Sequence, residues 1–245
     1  VVARRRALED VVAGHVGDVG MTRAIIGHAV FDLDGTLVDS APHVAGILNA
    51  MRADRGVPGR LARADVAPHV TAGGRTMVAA LLGDVLGDPD RALEEFRQRY
   101  ADAPTPPTSL YPSAREALTA LTGAGVVAAI FSNKPQRLCE KVLDDLDLTN
   151  LFAAVIGTGS DIALKPDPAG LDLALARSGG GRDRCCYVGD SESDFELSRR
   201  AGVPLIMVRW GYGEPGRDWP GARVAEDFMA VPALVTGILA GRARG

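Results

Sequence analysis

Residues 28–40 read His28-Ala-Val-Phe-Asp32-Leu-Asp34-Gly35-Thr36-Leu-Val-Asp39-Ser40. The apolar run 29–31 stops at two carboxylates that flank one leucine, and Gly35 and Thr36 follow. Such a run predicts a buried strand whose tip carries two neighbouring anions. Burying them is costly unless a cation or an incoming group compensates the charge. The stretch therefore predicts a strand that ends in a catalytic site, and all-oxygen acidic donors suit Mg²⁺.

Working outward, five short apolar runs (29–31, 126–131, 153–156, 185–188 and 204–208) are continuous rather than alternating, the pattern of parallel strands buried on both faces. Helical stretches separate most of them, as in a doubly wound sheet. Ser113 and Glu116 read as a capping box, with Gly123 and Gly125 stopping that helix. Pro135 suits the first turn of a helix carrying Leu138, Val142, Leu143 and Leu146. Asp167-Pro168 starts another, which ends at Ser178 and the glycine run 179–181, and Ser191 to Ala201 is a short helix closed by Gly202. The expected core is α/β, a doubly wound, Rossmann-like parallel sheet of five strands.

The first two runs are separated by far more chain than a crossover helix needs. Residues 40–108 hold three helical patterns and no convincing strand: one begins at Ser40 and Pro42, one covers 76–86, and one begins at Asp88-Pro89 and runs to Tyr100. The stretch 103–108, rich in proline, reads as a stiff returning linker. The expected organisation is an N-terminal extension (1–27), a catalytic core (28–39 and 109–245) and an inserted all-α domain (40–108) hinged near Ser40 and Pro106. Val1 in place of Met, and Met21 ahead of the first strand, are the reason for reading 1–27 as an extension.

The chain has 245 residues, 47% of them hydrophobic, and a formal net charge of -4. That balance gives no basic footprint for nucleic acid and no polybasic face for a membrane, and no apolar run follows Arg4-Arg5-Arg6 that would serve as a signal or a span. Cys139, Cys185 and Cys186 are too few for a disulfide framework, lack metal spacing and read as buried thiols, so a reducing cytoplasmic setting is expected. A monomer or homodimer is expected.

Ligands of an open parallel sheet gather beyond the carboxyl ends of its strands, and four predicted ends carry suitable groups. Asp32 and Asp34 follow the first. Ser132-Asn133-Lys134 follows the second, just ahead of a helix, where the Ser132 hydroxyl and the Asn133 N–H can hold the oxygens of an anion. Lys165 stands before Pro166 in a strand-to-helix loop, in a chain whose other lysines are Lys134 and Lys141. Asp190 and Asp194 follow the fourth run, four apart, on what reads as one face of a helix start. Gly35 admits close approach of the backbone to an anion, and Thr36 reads as support for that loop through hydroxyl-to-backbone bonding.

In this order the four motifs resemble those of the haloacid dehalogenase-like hydrolase superfamily, most closely its phosphoglycolate phosphatase-like branch with a helical cap. The resemblance covers residues 28 to about 240. It implies that Asp32 is the nucleophile that forms an aspartyl-phosphate and Asp34 the general acid and base. It also implies that Lys165 balances charge while Gly35, Ser132, Asn133 and Lys134 meet the substrate. Mg²⁺ would be held by the Asp32 carboxylate, the Asp34 backbone carbonyl and Asp190, with Asp194 acting through water or Lys165.

Asp34 argues against a dehalogenase, which lacks the second acid. The absence of any lysine from 40–108 argues against phosphonoacetaldehyde hydrolysis through a Schiff base on a cap lysine, and also against a sugar phosphomutase. The expected activity is Mg²⁺-dependent hydrolysis of a small-molecule phosphate monoester, with phosphoglycolate the leading substrate. A sugar phosphate or another metabolic intermediate is the alternative, and a non-catalytic binding protein the reading from a different class. Arg75, in Gly73-Gly74-Arg75, is the candidate for pairing with a carboxylate or hydroxyls on the leaving group. The segment Trp210-Gly211-Tyr212-Gly213 also resembles the phosphoglycolate phosphatase-like branch, its glycines letting the loop turn back beneath the sheet. His43 lies near the hinge, with a place on the cleft wall only the lesser reading for it.

Overall fold

The computed structural model describes residues 25–159, 162–214 and 216–242; the expectations for residues 1–24 lie outside them. The chain begins with β1 (Gly27–Phe31) and then forms four helices, α1 (Ala41–Asp54), α2 (Arg63–Val70), α3 (Gly74–Leu82) and α4 (Pro89–Asp102). It continues through α5 (Ala114–Gly123), β2 (Val126–Pro135), α6 (Gln136–Asp145), β3 (Ala154–Thr158) and α7 (Ala169–Arg177). It closes with β4 (Cys185–Gly189), α8 (Glu192–Ala201), β5 (Leu205–Val208), β6 (Arg223–Ala225) and α9 (Val231–Arg242).

The strands form one parallel sheet of order β3-β2-β1-β4-β5-β6, so the strand order reverses at β1 and β4. Crevices at such a reversal are where doubly wound sheets bind ligands. All five residues of β1 are buried, and successive side chains serve opposite faces. Ala29 and Phe31 pack with Leu118 of α5 and Val235 of α9, while Val30 packs with Leu171 of α7 and Leu197 of α8. Cys185 and Cys186 are free and fall on opposite faces, so they cannot pair with each other.

The sheet has six strands rather than the expected five. The added strand, β6, is short and lies at the edge, and only Ala225 of its three residues is buried, so it carries no apolar run. β2 extends to Pro135, past the predicted end, with a register irregularity between Phe131 and Pro135. Ser113 does not close a capping box: its backbone is left-handed (φ 63°) and its side chain caps nothing. The glycine run after α7 meets a specific neighbour, because a Cβ on Gly180 would lie 2.4 Å from the ring of His28, which bonds the Ser178 carbonyl at 3.1 Å.

The helical insertion between β1 and α5 contains four helices where three patterns were expected. The additional one, α2, buries only Val66 and carries Pro68 inside it. Asp88 caps α4 as expected, accepting a bond from the Arg91 N–H at 2.9 Å. The chain leaves and re-enters the core along two adjacent antiparallel segments, tied by a Val38–Leu110 bridge and by Asp39 N–H to the Ser109 carbonyl at 2.7 Å. Apolar residues of the insertion, among them Leu48, Met51, Leu93 and Phe96, join the same buried cluster as one face of the sheet.

Candidate active site

Asp32 is the first residue past β1 and Asp190 the first past β4, adjacent strands paired Phe31 to Val188. Strand pairing therefore brings their carboxylates together. One oxygen of Asp32 accepts from the Leu33 N–H at 2.7 Å, and the other takes the Lys165 ammonium at 2.7 Å. Lys165 reaches Asp194 with the same group at 2.8 Å. The second Asp194 oxygen is occupied by Ser191, through its N–H at 3.0 Å and its hydroxyl at 2.7 Å, and by the Asp190 N–H at 3.2 Å. Asp194 thus completes the capping box at the start of α8 and anchors Lys165 as well. Asp190 lies ahead of the helix, before the N-cap Ser191, so the pair does not share a helix face as expected.

Asp190 is held from two sides. Its Oδ1 accepts from the Thr36 hydroxyl at 3.0 Å and its Oδ2 from the Tyr212 N–H at 2.7 Å. The Thr36 hydroxyl therefore supports the Asp190 carboxylate rather than its own loop. Gly35, at φ +83°, faces this carboxylate so closely that a Cβ would lie 2.3 Å from Oδ2; a Cβ on Gly211 would lie 2.3 Å from the Asp190 Cβ. The 210–213 loop wraps the site instead of turning beneath the sheet. Trp210 donates to the Thr36 carbonyl at 3.0 Å, and the Tyr212 hydroxyl donates to Asp39 at 2.8 Å and accepts from the Ala41 N–H at 2.9 Å. Sequence reasoning missed Tyr212 and Asp39 as site supports; a Gly-Tyr-Gly pattern after a strand was the available signal.

Neither Ser132 nor Asn133 caps α6, whose N-cap is Pro135. Asn133 instead fixes the Lys165 loop, its Oδ1 accepting from the Lys165 N–H at 2.7 Å and its carbonyl from the Thr158 hydroxyl at 3.1 Å. Ser132 is buried with its hydroxyl oxygen 3.4 Å from the Lys134 N–H. Lys134 does not face solvent: its ammonium lies 3.1 Å from both oxygens of Asp34 and 4.2 Å from the ring centre of Tyr100.

Asp32, Asp34, Ser132, Asn133, Lys134 and Lys165 all line one cavity of about 480 Å³ between the strand ends and the helical insertion. Arg75 lines it too, but its guanidinium is paired with Asp90 and both side chains are largely exposed. His43 does not line this cavity. It is buried behind Tyr100, ring centres 4.7 Å apart, with both ring nitrogens unbonded, and burial with the nearby Lys134 and Lys141 pushes it down to about 4.

Asp32, Asp190 and Asp194 place oxygens within 4.8 Å of one another, all three buried, with Lys165 the one ammonium bonded among them. Burial pushes the Asp32 carboxyl up to about 6 against the pull of Lys165, with Asp194 adding to the rise. Burial, then Asp194 and Asp32, holds Asp190 well above the usual carboxylate range. Burial works to lower the Lys165 pKa, yet Asp194 and Asp32 outweigh it and keep the pKa above its ordinary value. A hard divalent cation bound by oxygen donors fits this excess of buried negative charge.

Residues 26–202 match the family model of haloacid dehalogenase-like hydrolases. The chain is 36% identical over 184 residues, 75% of its own length and 83% of the relative's, to a phosphoglycolate phosphatase of Xanthomonas campestris pv. campestris (strain 8004). It is 34% identical over 197 residues, 80% of this chain and 87% of the relative, to the N-acetylmuramic acid 6-phosphate phosphatase of Pseudomonas aeruginosa. A crystal structure described as a predicted phosphoglycolate phosphatase from Haemophilus somnus 129pt superposes with a TM-score of 0.76 at 25% identity, covering 88% of this chain and 99% of that one. No helix among the described residues is long and apolar enough to cross a membrane. The chain belongs to the haloacid dehalogenase-like hydrolase family and is a phosphatase within it.

Proposed function

We propose that this phosphatase hydrolyses a small-molecule phosphate monoester through an aspartyl-phosphate formed on Asp32, with Mg²⁺ held by the Asp32 and Asp190 carboxylates and the Asp34 backbone carbonyl. The observation that carries the reading is the bond of the Lys165 ammonium to both Asp32 and Asp194, beside the buried carboxylate of Asp190. Mg²⁺, when bound, offsets the repulsion between an anionic nucleophile and an anionic ester. Phosphoryl transfer depends chiefly on such charge compensation and on alignment.

An oxygen of Asp32 attacks phosphorus as the bond to the leaving oxygen breaks. Lys165 steadies the nucleophile, and Asp194, its other oxygen tied into the start of α8, keeps Lys165 in place. Asp34 gives its proton to the departing alkoxide, then takes one from the water that attacks the aspartyl-phosphate, releasing inorganic phosphate and restoring Asp32. The Ser132 hydroxyl and the Asn133 N–H face the phosphoryl oxygens. Lys134 holds the Asp34 carboxylate toward the cavity and lies close to the phosphate as well. Residues 40–108 act as a cap over the site.

The relatives' names give phosphoglycolate and N-acetylmuramic acid 6-phosphate as their substrates, esters that share the phosphate and differ in the alcohol. The residues on the strand ends address the shared part. Turnover of p-nitrophenyl phosphate with and without Mg²⁺ tests the reading. Wild type is expected to require the ion, and Asp32→Asn to fall at least about a thousandfold; comparable turnover by the variant overturns the reading.

A further inference from the structure

Beyond the phosphate-handling residues, the cavity is larger than a two-carbon acid needs. At about 480 Å³ it lies within the ~300–1,000 Å³ range of sites for drug-sized ligands. Its remaining walls mix polar residues, Thr71, Thr76 and Thr158 among them, with a set of larger apolar side chains. Val44 of α1, Met77 of α3, and Leu93 and Phe96 of α4 face it from the insertion, and Leu138 and Leu164 from the core. Leu164 is the telling member: it immediately precedes Lys165 and is 56% exposed, one of few large apolar side chains left so open. Singly exposed apolar side chains are ordinary; what distinguishes Leu164 is its place on the wall of the cavity, directly before Lys165.

Most of the cations that could recognise a small carboxylate are already engaged. Arg75 is engaged by Asp90, which diminishes its pull on a second carboxylate. Lys134 and Lys165 are engaged by Asp34, Asp32 and Asp194 at the phosphate end. Arg97 also lines the cavity and makes no ion pair among the described residues, but it belongs equally to the wall of the neighbouring surface depression beside Arg137 and Thr158.

Resting on the phosphatase reading, we infer that the preferred substrate is a phosphate monoester of an extended apolar alcohol, aryl or long alkyl. Its hydrocarbon would lie against Leu164, Phe96 and Leu93, while its phosphate meets Asp32. The family resemblance by itself does not specify this class, because the strand-end residues are indifferent to the alcohol.

The test is kcat/KM for n-alkyl phosphates from ethyl to hexyl, with phosphoglycolate alongside, on the full-length protein with saturating Mg²⁺. The alkyl series holds the leaving-group chemistry nearly constant while adding one methylene at a time. We expect a rise of about two- to fourfold per methylene, the range for burying each CH₂, with hexyl phosphate well above phosphoglycolate. A flat or falling series overturns the inference, as does a preference for carboxylated over neutral esters, which would move specificity to Arg97 or Arg75. Leu164→Asn, at an exposed position where folding is tolerant, should flatten the slope; an unchanged slope removes Leu164 from the site and overturns the assignment of this wall. Failure of the underlying reading looks different: no ester of any length releases phosphate, or the Asp32→Asn protein releases it as fast as wild type. Either result overturns the inference together with the reading.

Discussion

At Gly35 the backbone is left-handed, and a methyl group would lie against the Asp190 carboxylate and the Tyr212 ring. Gly35→Ala should therefore both strain the turn and displace Asp190, costing about 1–3 kcal/mol by urea unfolding and weakening Mg²⁺ binding in calorimetry. Lys165→Met poses the opposite problem. It leaves Asp32 and Asp194 buried without their cation, a change worth about 3–5 kcal/mol where the remaining charge cannot be solvated. Lys165→Arg is not expected to rescue activity, because a planar fork cannot occupy a point-charge site bounded by two carboxylates and the Tyr187 hydroxyl. Asn133 extends the same point one bond further. Its amide oxygen holds the Lys165 N–H at 2.7 Å, so Asn133→Leu should lower kcat far more than it raises KM for p-nitrophenyl phosphate.

Among the elements, the loop after β5 couples the catalytic turn to the entrance of the insertion. Tyr212 bonds Asp190 with its N–H, and Asp39 and the Ala41 N–H with its hydroxyl; Arg63 of α2 reaches the same Asp39 at 2.6 Å. Tyr212→Phe removes the hydroxyl bonds and leaves the ring, so a loss of about 1 kcal/mol in denaturant unfolding is expected. The contacts of the Tyr212 hydroxyl with Asp39 and the Ala41 N–H were the least legible part of the chain, because they join residues more than 170 positions apart through hydroxyl and backbone groups. The five strands that carry apolar runs were legible because burial on both faces demands continuous apolar residues; Asp32, Asp34 and the Lys165 loop line one cavity, and Asp190 and Asp194 close on Asp32 beside it. β6 and α2 were not, since an edge strand and a helix with one buried residue have no apolar pattern to display. Ser113 shows the converse: Ser-x-x-Glu is present, but the residue's left-handed backbone turns its side chain away from the cap. Lys134 was placed by the electrostatics of Asp34 and the face of Tyr100, neither visible from its position before Pro135.

For the whole molecule, the buried carboxylates link pH, metal and stability. The folded protein holds the Asp32 proton to about pH 6, against an ordinary 3.8. It therefore binds protons more tightly than the unfolded chain between those values, and this group makes the metal-free protein less stable as pH rises through that window. The raised Asp190 acts in the same direction. A divalent ion relieves the charge once the carboxylates ionise, so Mg²⁺ should raise Tm more at pH 7.5 than at pH 5, where protons compete for the same oxygens. An equal shift at both pH values would mean that the ion binds elsewhere. The central claim is that phosphate passes through Asp32. Mass spectrometry of acid-quenched protein during turnover of a phosphate monoester tests it most directly: a phosphoryl adduct on the peptide carrying Asp32, absent from Asp32→Asn, is expected, and an adduct on another residue, or undiminished turnover by Asp32→Asn, would contradict it.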